Sequence, residues 1–297
     1  MSLKLIYLDQ CVASDLALGN PPWDKLRALV ESKVAEGKIL CPLSFETILE
    51  STLCDEATRI ALANFFDKVS GGWRIKCFDE LVGEETIHLV RKQPFCLLDR
   101  YVNLIPVEPG HANFMRRAFQ DGRAKLTARA EAVQYQPEQL GLTVKEVRKS
   151  GSRERAGQLW RDIQRLLAGQ TTEMEAGDFY LDLIRAKFTE EELIELCEHI
   201  LHHRWEAIPV NYVEMLIAGQ WEFEMTRQNQ NPRKYKFNDE IDRWRAAVAL
   251  AYCDALITDG GAAELARVAV RGLDAAFPCQ IFSTRDISEI EGAIKLM

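Results

Sequence analysis

The amino-acid sequence predicts an α/β protein, with a central parallel sheet flanked by helices and interrupted by a large all-helical insertion. Three observations lead there. Short apolar, β-prone runs near the start of the chain alternate with helical patterns. The same alternation returns at the end of the chain. Between the two, from Pro109 to Glu222, helical spacing continues without a β-rich run.

Leu3 to Leu8 (LKLIYL) reads as a buried strand that ends at Asp9. Asp24 to Gly37 has helical spacing and a terminal glycine suited to a helix C-cap. Lys38 to Leu43 (KILCPL) is a second strand, after which Ser44 caps a helix over SFETILESTL. A further helix runs from Asp55 to Val69 and closes at Gly71-Gly72. Trp73 to Phe78 is a short strand or an irregular return, and Asp79 to Lys92 is helical and stops before Pro94. In the last part, Asn238 to Tyr252 is a helix, Ala255 to Ile257 a strand and Gly260 to Gly272 a helix. Pro278 to Phe282 is a strand and Asp286 to Leu296 the final helix. Residues 1–108 and 223–297 thus make one discontinuous α/β domain, and 109–222 its helical insertion.

Composition narrows the class. Hydrophobic residues are 47% of the 297 and charged residues 28%, which is ordinary for a folded domain and excludes disorder as the main state. No apolar run approaches the roughly 18 residues that span a bilayer. No basic stretch followed by an apolar run opens the chain, so no secretory signal is expected and the expected compartment is the cytoplasm. Eight cysteines are scattered without a C-x-x-C pair, which reads as free buried thiols and not as a zinc site or a disulfide framework.

The formal charge of −8 argues against indiscriminate nucleic-acid binding, but charge is unevenly spread. Between Ala112 and Gln170, twelve basic residues face six acidic ones. That imbalance hints at an anionic partner, although any single residue there also suits a solvated helix face.

The chemistry is carried by acids at strand ends. Asp9 follows the first strand, and Asp259 follows the strand Ala255 to Ile257. Glu50 lies two turns into the helix after the second strand, with Glu46 one turn before it. Asp239 and Asp242 open the helix that precedes Asp254. Ligands of open parallel sheets bind outside the carboxyl ends of the strands. Converging carboxylates repel unless something neutralises them, and Mg²⁺ or Mn²⁺ does so through oxygen ligands. Each acid also has a plain structural role open to it. Asp9 and Asp239 suit caps, Asp254 a turn, and one of Glu46 and Glu50 a solvated face.

Three segments in order, IYLDQCVASDLA, CPLSFETILEST and FNDEIDRWRAAVALAYCDALITDGG, resemble PIN-like nuclease domains. Within them the chain is similar to bacterial proteins with a YLDQ opening, a PLS…E helix and an ND…D…YCD…TD block. The likeness spans roughly the first hundred residues and the last sixty. It implies a metal-dependent ribonuclease whose catalytic acids are Asp9, Glu50, Asp242 and Asp259. Glu50 is preferred to Glu46 because the family acid comes six residues after the serine that starts this helix, here Ser44. For metal binding, Asp9, Asp242 and Asp259 come first, with Asp239 and Asp254 as further candidates. Cys11-Val12 and Arg243-Trp244-Arg245 depart from the pattern, the latter where histidine is common, without removing a carboxylate.

Other signatures are weaker. Cys11 stands where a haloacid-dehalogenase-like phosphatase needs its second aspartate, and neither G-x-x-x-x-G-K-[ST] nor G-x-G-x-x-G occurs, so no organic-cofactor site is read. His199 and His203 share a helical face but lack the H-E-x-x-H glutamate. Arg233, Lys234, Tyr235 and Lys236 mix charge with an aromatic ring just before the ND block, which suits single-stranded RNA as well as a solvated linker. The expected function is Mg²⁺- or Mn²⁺-dependent endonucleolytic hydrolysis of single-stranded RNA. The competing class is a catalytically silent PIN-like module that binds RNA or protein. A protein partner, an antitoxin-like regulator or a second copy of the chain is admitted as a partner; a membrane is not.

Overall fold

A computed structural model describes residues 3–102, 104–132, 189, 191–192, 209–210, 213, 217, 237–271, 273 and 276–297. Its elements are β1 (Lys4–Leu8), α1 (Gln10–Leu18), α2 (Trp23–Ala35), β2 (Ile39–Leu40), α3 (Phe45–Ser51) and α4 (Glu56–Val69). Next come β3 (Trp73–Ile75), α5 (Phe78–Arg91), β4 (Leu98–Arg100) and α6 (Pro109–Ala132). The carboxyl-terminal part adds α7 (Phe237–Tyr252), β5 (Ala255–Thr258), α8 (Gly260–Ala269), β6 (Gln280–Ser283) and α9 (Ile287–Leu296).

Four parallel strands form the central sheet in the order β2-β1-β5-β6. The register pairs Leu8 with Ile257 and Thr258 with Ser283, so β1, β5 and β6 end together at one edge. Leu43 bridges Arg74 in the parallel sense beyond β2, and β3 pairs antiparallel with β4. Both faces of the sheet are covered, which is why its strands read as continuous apolar runs. Side-chain alternation along β1 then divides the core. Ile6 and Leu8 face α1, α2, α4 and α9, while Tyr7 faces α5, α7 and α8. Fully enclosed side chains such as Leu26, Leu62 and Phe65 each contribute about 1.5–3 kcal/mol by leaving water.

The α/β class with a flanked parallel sheet is as the sequence predicts. Two elements escape the pattern. The helix α1 starts directly at Gln10 because Asp9 turns the chain out of β1 with extended backbone angles (φ −62°, ψ 153°). The strand β4 is short and half-buried, so its composition carries no alternation to read.

In the predicted insertion, α6 is one long helix that packs on α3 and α7 through Phe119, Leu49 and Ile241. Val210, Val213 and Ile217 are helical, fully buried, and join the core on the Tyr7 face. Their spacing of three and four is that of one helix stripe. The other residues of 133–222 lie outside the described residues, save 189, 191–192 and 209.

Candidate functional site

Asp9 is held where two strands end. Its backbone N–H donates to Ile257 O at 3.0 Å, which ties it to β5. Its side chain does not cap α1; it turns inward and is buried. The Thr258 hydroxyl donates to Asp9 Oδ2 at 2.6 Å. Glu50 arrives on α3, which starts where Ser44 Oγ accepts from Thr47 N at 3.1 Å. Asp242 arrives on α7, whose residues Ala246, Ala247 and Leu250 pack into the core while Ile241 packs against Phe119 of α6. Phe78 stacks on Trp244 with ring centroids 6.2 Å apart, fixing the rotation of α7 against α5.

These three carboxylates meet at Arg245. Its Nη1 donates to Asp9 Oδ1 and, at 3.2 Å, to Asp242 Oδ1, and its Nη2 donates to Glu50 Oε2. The guanidinium is almost wholly enclosed, with 3% of the side chain exposed, against 27% for Asp242. Asp242 is therefore the member of the cluster most open to solvent.

The electrostatics follow from burial and crowding. Burial raises the Asp242 carboxyl to about 7, Arg245 opposes this, and the charges of Asp9, Glu50 and Asp259 add to it. Burial raises Glu50 as well, again opposed by Arg245. For Arg245 itself, burial lowers the pKa, but Asp9, Glu50 and Asp242 outweigh it and hold the guanidinium charged. One cation thus faces three acids.

Asp259 lies at the same edge but does a different job. It caps α8, its Oδ1 accepting from Gly261 N at 2.7 Å and Ala262 N at 3.2 Å. A Cβ on Gly261 would stand 3.2 Å from that oxygen, so glycine keeps the cap close. Asp254 does not join the group. It sits at the amino end of β5, where it takes Lys4 Nζ at 2.7 Å and Leu5 N at 2.8 Å. The length of β5 separates it from Asp259, roughly 15 Å of extended chain. An acid before a strand and an acid after it lie at opposite edges, and that placement was readable from the sequence.

Glu46 is buried beside the cluster and accepts from the Tyr7 hydroxyl at 3.2 Å. It shares a helix face with Glu50 one turn earlier in α3, but lies deeper, and Glu50 is left nearer the edge. Asp239 lies in α7 without a described side chain, and Arg233, Lys234, Tyr235, Lys236, His199 and His203 lie outside the described residues.

Sequence reasoning missed Arg245, Thr258 and Tyr7 as site residues. Arg245 had a signal, since a residue three after Asp242 shares its helix face. Thr258 and Tyr7 belong to apolar strands, where a lone hydroxyl does not stand out.

In chemistry, the set fits a hard divalent cation, since all its donors are carboxylate oxygens and one guanidinium faces three acids. In geometry, the oxygens stand around the guanidinium. Among the described residues, no three His, Cys, Asp or Glu side chains are arranged to share a metal ion. Among these residues, too, no helix is long and apolar enough to cross a membrane. Compared with protein-family models, curated proteins and solved structures, the chain matches none.

Proposed function

We propose that the chain is a metal-dependent endoribonuclease of the PIN-like kind, acting on single-stranded RNA through Asp9, Glu50 and Asp242. The observation that carries this reading is the meeting of three carboxylates, from β1, α3 and α7, at the carboxyl edge of a parallel sheet. A bound Mg²⁺ or Mn²⁺ ion would supply a water of lowered pKa and stabilise charge on the phosphate.

The residues of the chain prepare that chemistry. Thr258 fixes one oxygen of Asp9, leaving the other directed at the cluster centre. Glu50 and Asp242 approach from two helices locked by α6 and by the Phe78–Trp244 stack. Asp259 anchors α8 and adds negative charge at the rim. Seven described cysteines are free thiols, which suits the reducing cytoplasm.

Arg245 favours a second reading, a PIN-like module that binds RNA or protein without cutting it, because a permanent cation already neutralises part of the site. One experiment separates them. With Mn²⁺ or Mg²⁺ present, the protein cleaves single-stranded RNA, EDTA stops it, and Asp9→Asn lowers the rate by orders of magnitude. Equal cleavage by wild type and Asp9→Asn, or none by either, defeats the nuclease reading.

A further inference from the structure

We infer that Arg245 is the resident counter-cation of the carboxylate site, and that a divalent ion entering the site must compete with it for Asp9, Glu50 and Asp242. This rests on the metal-site reading above and goes beyond it, by assigning a regulating role to a residue of the chain itself.

The geometry carries the inference. The guanidinium reaches all three carboxylates through its two terminal nitrogens. Its third nitrogen, Nε, is buried with no hydrogen-bond partner among the described residues. A guanidinium placed only to satisfy the core would use its full fork of donors. Here the distal end alone is held, so the attraction of the carboxylates accounts for its position. The same oxygens are the ones a hard cation would take.

Arg245 also shares α7 with Asp242, three residues away, so exchange of partners requires no movement between elements. Without metal, the arginine prevents three buried acids from facing one another unpaired. With metal, it stands as a like charge beside the ion and weakens its binding. Arg245 is a positioning residue in this scheme, acting through the carboxylates.

Binding and melting measurements on the full chain test it. Free Mn²⁺ is read by electron paramagnetic resonance in metal-stripped wild type, Arg245→Gln and Arg245→Lys. The expected result is Mn²⁺ affinity on the order of tenfold or more higher in Arg245→Gln, where the like charge is gone. Arg245→Lys, which keeps the charge, stays near wild type. In EDTA, Arg245→Gln melts below wild type, and Mn²⁺ raises its melting temperature by more than it raises that of wild type.

Should Arg245→Gln fail to fold without metal, Glu50→Gln and the double variant Glu50→Gln/Arg245→Gln make the same comparison with less repulsion. The double variant must then bind Mn²⁺ more tightly than the single one. If wild type binds Mn²⁺ and removing the arginine charge leaves affinity unchanged or lower, the competition is refuted while the metal site stands. If only the charge-free variant binds Mn²⁺, the competition holds and the metal-dependent reading of the wild type fails. If neither binds, both fall.

Discussion

Thr258 and Asp9 lie at the carboxyl ends of two neighbouring parallel strands, and the Thr258 hydroxyl donates to Asp9 Oδ2 at 2.6 Å. Both residues are buried. The bond therefore fixes which oxygen of Asp9 is turned toward Arg245. Thr258→Val keeps the shape and removes the donor. It should cost about 1–3 kcal/mol of stability, because a buried carboxylate oxygen loses its partner. Thr258→Ser restores the donor and should recover most of that loss. Denaturant unfolding of the three proteins measures it, and equal midpoints would show that the bond does not hold Asp9.

Asp259 joins two functions that substitution separates. Its side chain caps α8, and its charge is felt at Asp242. Asp259→Ala should lose the cap, at about 1 kcal/mol. Asp259→Asn keeps the capping oxygen and removes the charge, so thermal stability should stay near wild type. If the charge serves the proposed chemistry, Mn²⁺-dependent cleavage falls in both variants. Cleavage retained in Asp259→Asn and lowered only in Asp259→Ala would confine the residue to its cap.

Asp254 serves the opposite edge of the sheet. It ties β5 to β1 through Leu5 N and Lys4 Nζ. Asp254→Asn should lower stability by about 0.5–2 kcal/mol, since the backbone bond survives and the half-exposed ion pair contributes little. Mn²⁺ binding should be unchanged, and a clear drop in Mn²⁺ affinity in this variant would contradict its placement.

The contrast between Asp9 and Arg245 marks what the sequence made legible. Asp9 follows a run of buried strand residues, so strand polarity alone places it at the carboxyl edge. Glu50 and Asp242 follow from helix starts at Ser44 and Asn238. Arg245 sits in a helix with buried residues on most sides, where a basic residue reads as an exposed position. Its burial depends on carboxylates that are 195 and 236 positions away in the chain. Local patterns cannot hold that information, because the neutralising partners come from other elements. Helix α1 was missed for a related reason. Its start is set by Asp9 turning at the end of β1, and Asp9 makes no side-chain cap.

Glu85 gives the clearest expectation for pH. It lies on α5, 3% exposed, and Oε1 accepts from the Tyr252 hydroxyl and, at 2.9 Å, from Val210 N. Oε2 is buried without a hydrogen-bond partner among the described residues. Glu85 thus links the buried residue Val210 to α5 and α7. Burial pushes its carboxyl up to about 8, opposed by the Val210 N–H, from an ordinary value of 4.5. Because the folded pKa is the higher one, the folded state binds the extra proton between those values. Stability is therefore greatest below the unfolded pKa and falls as pH rises toward the folded one, by up to ~1.4 kcal/mol per pH unit in mid-window. Glu85→Gln mimics the protonated acid and should flatten this decline. Urea unfolding from pH 5 to pH 9 reads the difference between wild type and variant, which removes the contribution of the other titrating groups. A decline just as steep in Glu85→Gln would mean that Glu85 is ionised in the folded protein and that its buried oxygen is matched by a cation.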